Sequence, residues 1–234
     1  MGAYVELRVK DGTSMRAYVT RPEQAGKHPG LLLFQEAYGV NPHIRDIAGR
    51  FAREGYVTIA PELFHRTVPP GFEAPYDNFE LVRPHVQALT PENLESDIHA
   101  ARAWLEQDAA TDRDRVVAVG FCMGGRVSYI AATSIPLKAA VSFYGGGIAP
   151  ALVGRAPRAQ APVLFFWGAR DKGIPEDQRR AIIDAMAAAD KSYVAVVFSD
   201  AGHAFFCDAR PSYHRPSATA AWVLTLAFLR NAIA

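Results

Sequence analysis

One segment of this 234-residue chain combines a nucleophile with the kind of turn that exposes one. In VVAVGFCMGGRVSYIAA an apolar run passes through Gly120-Phe121-Cys122-Met123-Gly124-Gly125 into a helical pattern, the layout of a nucleophile elbow with cysteine in place of serine. A turn this tight strains the central residue, and the neighbours two places to either side must be small. Gly120 and Gly124 meet that need. The thiol then projects from a helix N-terminus, whose unpaired N–H groups and dipole favour a thiolate and a developing oxyanion. The competing reading is a buried cysteine beside a glycine-rich turn, since free cysteine packs well as a small apolar residue.

A thiol nucleophile needs a base. Of the seven histidines, His203 follows a strong late apolar run in YVAVVFSDAGHAFF, with Ala201-Gly202 giving the backbone freedom to aim the ring. His28, His43, His65, His85, His99 and His214 have no comparable placement. An acid that orients the imidazole and stabilises its cation is expected between nucleophile and base in chain order. Asp171, after PVLFFWGAR, fits, and Asp177 and Asp200 compete for the role.

The elements that must position these residues are legible as patterns. AYVELRV, the DGT turn and MRAYVT alternate polar and apolar residues, as in an antiparallel hairpin at a sheet edge. GLLLFQ, YVTIAP, RVVAVGF, KAAVSFY, PVLFFWG and YVAVVFS are short continuous apolar runs, predicting parallel strands covered on both faces. Asn41-Pro42 opens a predicted helix to about Glu54. Thr90-Pro91 opens another, with Leu94, Ile98, Ala101, Trp104 and Leu105 at helical spacing. Segments near 123–134, 175–190 and 216–231 give three more. The whole predicts one domain over 1–234, a three-layer α/β fold whose mainly parallel sheet has about eight strands with helices on both faces. Residues 62–89 break the rhythm and read as a long loop, a candidate cap, whose Phe64, Phe72, Tyr76 and Phe79 are candidates to line an apolar pocket.

Composition narrows the partner. Lys and Arg number 25 against 24 Asp and Glu, so no strong field points to nucleic acid or a membrane surface, and a small molecule is expected instead. No signal-peptide layout and no membrane-spanning apolar run is visible, so the expected location is cytoplasmic. Two distant cysteines, Cys122 and Cys207, make a disulfide framework unexpected. His65, His85 and His99 lack metal-ligand spacing, and Gly145-Gly146-Gly147 reads as a turn, so no metal or cofactor is expected. Oligomeric state is not encoded in any visible pattern.

The cysteine, histidine and aspartate segments, together with LLLFQEAYGVNPHIRDIAGRFAREGYVTIAPELF, closely resemble the dienelactone hydrolase (carboxymethylenebutenolidase) family over nearly the whole chain. The resemblance implies an α/β-hydrolase fold and cofactor-free hydrolysis of a lactone or ester through an acyl-enzyme on a Cys122, His203 and Asp171 triad. It assigns Glu36, in Gln35-Glu36, as a carboxylate near the thiol that holds it protonated until substrate binds; the alternative is a surface carboxylate or an ion pair with Arg45 or Arg66. The oxyanion hole would be the backbone N–H groups of Ala37 and Met123. The family's best-known substrate carries a carboxylate held by two arginines. Here the candidates are Arg83, in the middle loop, and Arg210, the nearest arginine after His203, each equally readable as a surface arginine. Two other functions fit the same residues: a small peptidase, and a redox-sensing thiol protein in which Cys207 resolves an oxidised Cys122.

Overall fold

The computed structural model describes residues 2–234. β1 (Ala3–Arg8) and β2 (Ser14–Thr20) form the expected antiparallel hairpin, with Ala3 opposite Val19 and Arg8 opposite Ser14. Burial alternates along β2, where Met15, Ala17 and Val19 face inward. There follow β3 (His28–Phe34), α1 (Pro42–Arg53), β4 (Val57–Pro61), α2 (Phe79–Gln87), α3 (Pro91–Gln107), β5 (Thr111–Phe121) and α4 (Met123–Ala132). The remainder is β6 (Ala139–Phe143), a short 3-10 helix (Val153–Arg158), β7 (Val163–Gly168), α5 (Glu176–Ala188), β8 (Tyr193–Phe198) and α6 (Arg215–Ile233).

The eight strands form one sheet in the order β1, β2, β4, β3, β5, β6, β7, β8. β2 meets β4 antiparallel, whereas β3 with β4, β6 with β7, and β7 with β8 are parallel. The fold is α/β, as the pattern predicts. By internal contacts the chain divides into two compact units, 1–117 and 118–234, with the boundary inside β5.

Every residue of β4, β6 and β7 is buried. Because successive side chains point to opposite faces, unbroken burial means that both faces of these strands are covered. β8 departs from the expectation: Val194 and Val197 are 45% and 46% exposed. The reason is its place at the end of the strand order, which an apolar composition does not reveal.

In the first unit the start signals act as read. The Asn41 side chain accepts the Ile44 N–H at 3.2 Å, and Thr90 Oγ1 accepts the Asn93 N–H at 3.2 Å. The 62–89 stretch needs correction, because it contains α2. Asn78 caps that helix through the Leu81 N–H. Pro84 inside it and a single buried residue, Val82, removed the periodic signal. The aromatics of this stretch also separate. Phe64 and Phe72 pack against each other and against His85, while Tyr76 and Phe72 flank a cluster of Ala37, Tyr38, Ala74 and Val82. Phe79 is 42% exposed, with the Arg83 guanidinium 5.3 Å from its ring. The stretch is anchored through its start, where Arg66 makes two hydrogen bonds, 2.9 and 2.8 Å, to the buried Asp97 of α3, and His65 adds a third at 3.1 Å.

Candidate active site

The second unit assembles three of the expected residues. β5 ends at Phe121 and α4 starts at Met123, so Cys122 alone makes the turn, at φ 55° and ψ −116°. A non-glycine residue there costs of order 1–3 kcal/mol, which surrounding contacts must offset. The Cys122 N–H donates to the Phe143 carbonyl at the end of β6, 3.0 Å, and its own carbonyl accepts the Gly125 N–H, 2.9 Å. A Cβ on Gly120 would lie 1.9 Å from the Gly124 carbonyl oxygen, so the small-residue requirement is met by direct contact. Gly125 carries the same constraint, since its Cβ would fall 2.6 Å from the Phe143 oxygen. Phe121 stacks on Phe143, ring centroids 4.5 Å apart, and Phe206 packs on both, giving the turn an aromatic floor.

Asp171 follows β7 in a tight turn, with its N–H on the Gly168 carbonyl at 3.2 Å. Its Oδ1 accepts the Gly173 N–H at 2.9 Å, leaving Oδ2 to accept from His203 Nδ1 at 2.7 Å. The far nitrogen of the ring, Nε2, lies 3.0 Å from Cys122 Sγ. The loop after β8 is held for this purpose by the Arg170 N–H, which donates to the Ala201 carbonyl at 2.9 Å. Of the competing acids, Asp177 is exposed in the first turn of α5, and exposed Asp200 pairs with Arg170 at 2.7 Å. Tyr144, which the sequence did not single out, stands edge-on to His203 at 5.1 Å between centroids. Its signal was the aromatic residue just past β6, a position level with the elbow.

Burial alone pushes the His203 imidazolium down from its ordinary value. The Cys122 thiolate charge and the hydrogen bond to Asp171 outweigh that and raise it to about 10. His203 Nε2 thus faces Cys122 Sγ while Nδ1 is held by Asp171, an arrangement through which a proton can pass between ring and sulfur.

The other expected residues lie as follows. Glu36 is fully buried, which excludes a surface carboxylate, and the ion pairs of Arg45 and Arg66 go to Glu73 and to Asp11 and Asp97. Ala37 is buried, and Met123 is the first residue of α4. Arg83 is exposed on α2, paired with Glu80 and 5.3 Å from the Phe79 ring. Arg210 is half-buried, in a turn closed by its N–H on the Cys207 carbonyl, 3.1 Å. Neither Cys122 nor Cys207 is in a disulfide, and the second is fully buried. His65 and His85 are engaged by Asp97 and Thr67 respectively. No helix among the described residues is long and apolar enough to cross a membrane.

Known proteins give this geometry a context. Residues 15–233 match the profile of the "Dienelactone hydrolase family". The "Putative carboxymethylenebutenolidase" of Escherichia coli (strain K12) is 36% identical over 229 residues, spanning 94% of this chain and 83% of that one. A protein of the same name from Synechocystis sp. is 34% identical over 88% of this chain and 87% of its own length. The crystal structure of a "Putative Dienelactone Hydrolase" from Klebsiella pneumoniae superposes with a TM-score of 0.88 at 35% identity, covering 98% of this chain and 99% of that one.

The electrostatics make a testable statement about His203. In the wild-type protein its imidazole should titrate well above neutral pH, towards about 10. Cys122→Ala removes the thiolate charge and should lower that midpoint by about one to two pH units. Nitrogen NMR of histidine-labelled protein reads both values; equal midpoints would show that no thiolate charge acts on the ring.

Proposed function

Since this chain belongs to the dienelactone hydrolase family, we propose that it hydrolyses a small ester or lactone through an acyl-enzyme on Cys122. His203 serves as general base and acid, and Asp171 fixes its tautomer. The observation that carries this reading is the continuous line from Cys122 Sγ to His203 Nε2, 3.0 Å, and from His203 Nδ1 to Asp171 Oδ2, 2.7 Å, with the thiol on a strained strand-to-helix turn. In this reading residues 1–234 act as one functional domain.

The steps balance without a cofactor. The Cys122 thiolate attacks the acyl carbon, and its electron pair moves onto the carbonyl oxygen, which the Met123 and Ala37 N–H groups are proposed to receive. Collapse breaks the acyl–oxygen bond, and the His203 imidazolium gives its proton to the departing alkoxide. A thioester remains. Neutral His203 then takes a proton from water, the hydroxide attacks the thioester, and the acid leaves as thiolate and imidazolium are restored. With a lactone, the alcohol stays tethered and the product is a hydroxy acid.

Glu36 is proposed as the brake on this nucleophile. Its charge opposes the thiolate until substrate binds, after which the carboxylate accepts the thiol proton and returns it to the sulfur once deacylation has released the thiolate. Complete burial supports the idea, because an ionisable side chain is held out of water at a substantial desolvation cost. For a substrate with its own carboxylate, Arg210 and Arg83 remain the proposed holders. The half-buried Arg210 is better shielded from solvent than the exposed Arg83.

Cys122→Ala should keep its circular dichroism spectrum and lose roughly 10³-fold or more of kcat on a chromogenic ester, as triad deletions do. A variant retaining more than about a tenth of the activity would remove Cys122 from the mechanism, and a thiol that reacts with iodoacetamide in a protein without turnover would indicate a sensor. Glu36→Gln should separate reactivity from catalysis: alkylation of Cys122 near neutral pH becomes faster while ester turnover falls. Unchanged alkylation together with normal turnover would show that Glu36 does not act on the thiol.

A further inference from the structure

Arg126 lies one turn into α4 from Cys122, its N–H donating to the Cys122 carbonyl at 3.4 Å. Nothing structural favours a cation there. It sits near the positive end of the α4 dipole, in a helix whose first turn has no acidic residue to offset it. Its Nε and Nη2 atoms are buried without a hydrogen-bond partner, and no ion pair among the described residues includes it. An arginine held this way is costly unless a negative charge compensates it.

Cys122, one turn back along α4, is a candidate for that charge. The loop after β6 flanks the guanidinium with Gly147, where a Cβ would lie 3.2 Å from Nη1 and 3.5 Å from Cδ, and Gly147 brings no charge. Burial pushes Arg126 down from its ordinary value, and the one opposing influence is the charge of Cys122.

We propose that Arg126 is a positioning residue for the thiol chemistry, a fixed cation one helical turn beyond the nucleophile that raises the thiolate fraction of Cys122 without touching substrate. The proposal rests on the reading of Cys122 as nucleophile. The other groups acting on the thiol are His203 from the loop after β8, with Asp171 behind it from the loop after β7. Tyr144, from the loop after β6, stands against His203. Glu36, as proposed above, acts with the opposite sign. Arg126 thereby counters the Glu36 brake.

The test is the pH dependence of Cys122 alkylation by iodoacetamide, followed by peptide mass spectrometry in the wild type, Arg126→Met and Arg126→Lys. Loss of the charge in Arg126→Met should move the ionisation midpoint up by about one pH unit and slow labelling below it by roughly 10-fold. Arg126→Lys should stay close to wild type, and kcat/KM on a neutral ester should follow the same displacement. An unmoved midpoint in Arg126→Met would overturn the proposal, as would a loss confined to KM for carboxylate-bearing esters, which makes Arg126 a substrate contact. If Arg126→Met does not fold, Arg126→Gln decides, a rise of about one unit supporting the proposal and a wild-type midpoint overturning it. Turnover that survives Cys122→Ala would remove the nucleophile reading itself, whereas an unmoved midpoint in an enzyme that still requires Cys122 removes only the role of Arg126.

Discussion

The single constraint on which the site depends is the conformation of Cys122, a side-chain-bearing residue held at φ 55° between β5 and α4. It persists because its neighbours allow no other path. The Gly124 carbonyl fills the space that a side chain on Gly120 would need, the Phe143 carbonyl holds the Cys122 N–H, and Gly125 brings the α4 backbone against the end of β6. Stacked Phe121 and Phe143 stiffen the two strand ends beneath the turn. Strain of this kind places the sulfur outside the regular hydrogen-bonding of both elements, which leaves it available for chemistry.

Charge then determines what the sulfur does. His203 and Arg126 contribute two cations, one mobile in protonation and one fixed, and the N-terminus of α4 adds a partial positive charge. Asp171 acts at one remove: its other oxygen is committed to the Gly173 N–H, so the carboxylate cannot rotate away from the imidazole. A reactive thiolate that is always exposed is open to oxidation and adventitious alkylation. The proposed role of the buried Glu36, acting with the opposite sign, would limit that exposure.

What the sequence disclosed was what local physics controls. Asn41 and Thr90 announced their helices because a capping side chain reaches only three residues on. Cys122 was legible because the elbow is a contiguous strand, turn and helix with small residues at fixed offsets. Asp171 was preferred to Asp177 and Asp200 for its place after a strand and between Cys122 and His203 in chain order, but its contact with His203 depends on how two loops 32 residues apart converge, which no local pattern records. Helix α2 was hidden by Pro84 and by a single buried position, and the exposure of β8 by the fact that composition does not record a strand's place in a sheet. Arg126 carried no signal of its own, because its meaning lies in the absence of a partner.

The central claim is that Cys122 becomes covalently acylated during turnover. Intact-protein mass spectrometry after acid quench, within the first turnovers of a slowly hydrolysed aryl ester, measures this directly. The account predicts a transient species heavier by the mass of the acyl group, localised to the peptide containing Cys122, formed with a burst of released phenol and absent in Cys122→Ala. Steady hydrolysis by the wild-type protein with no adduct and no burst, under conditions where deacylation limits the rate, would contradict it.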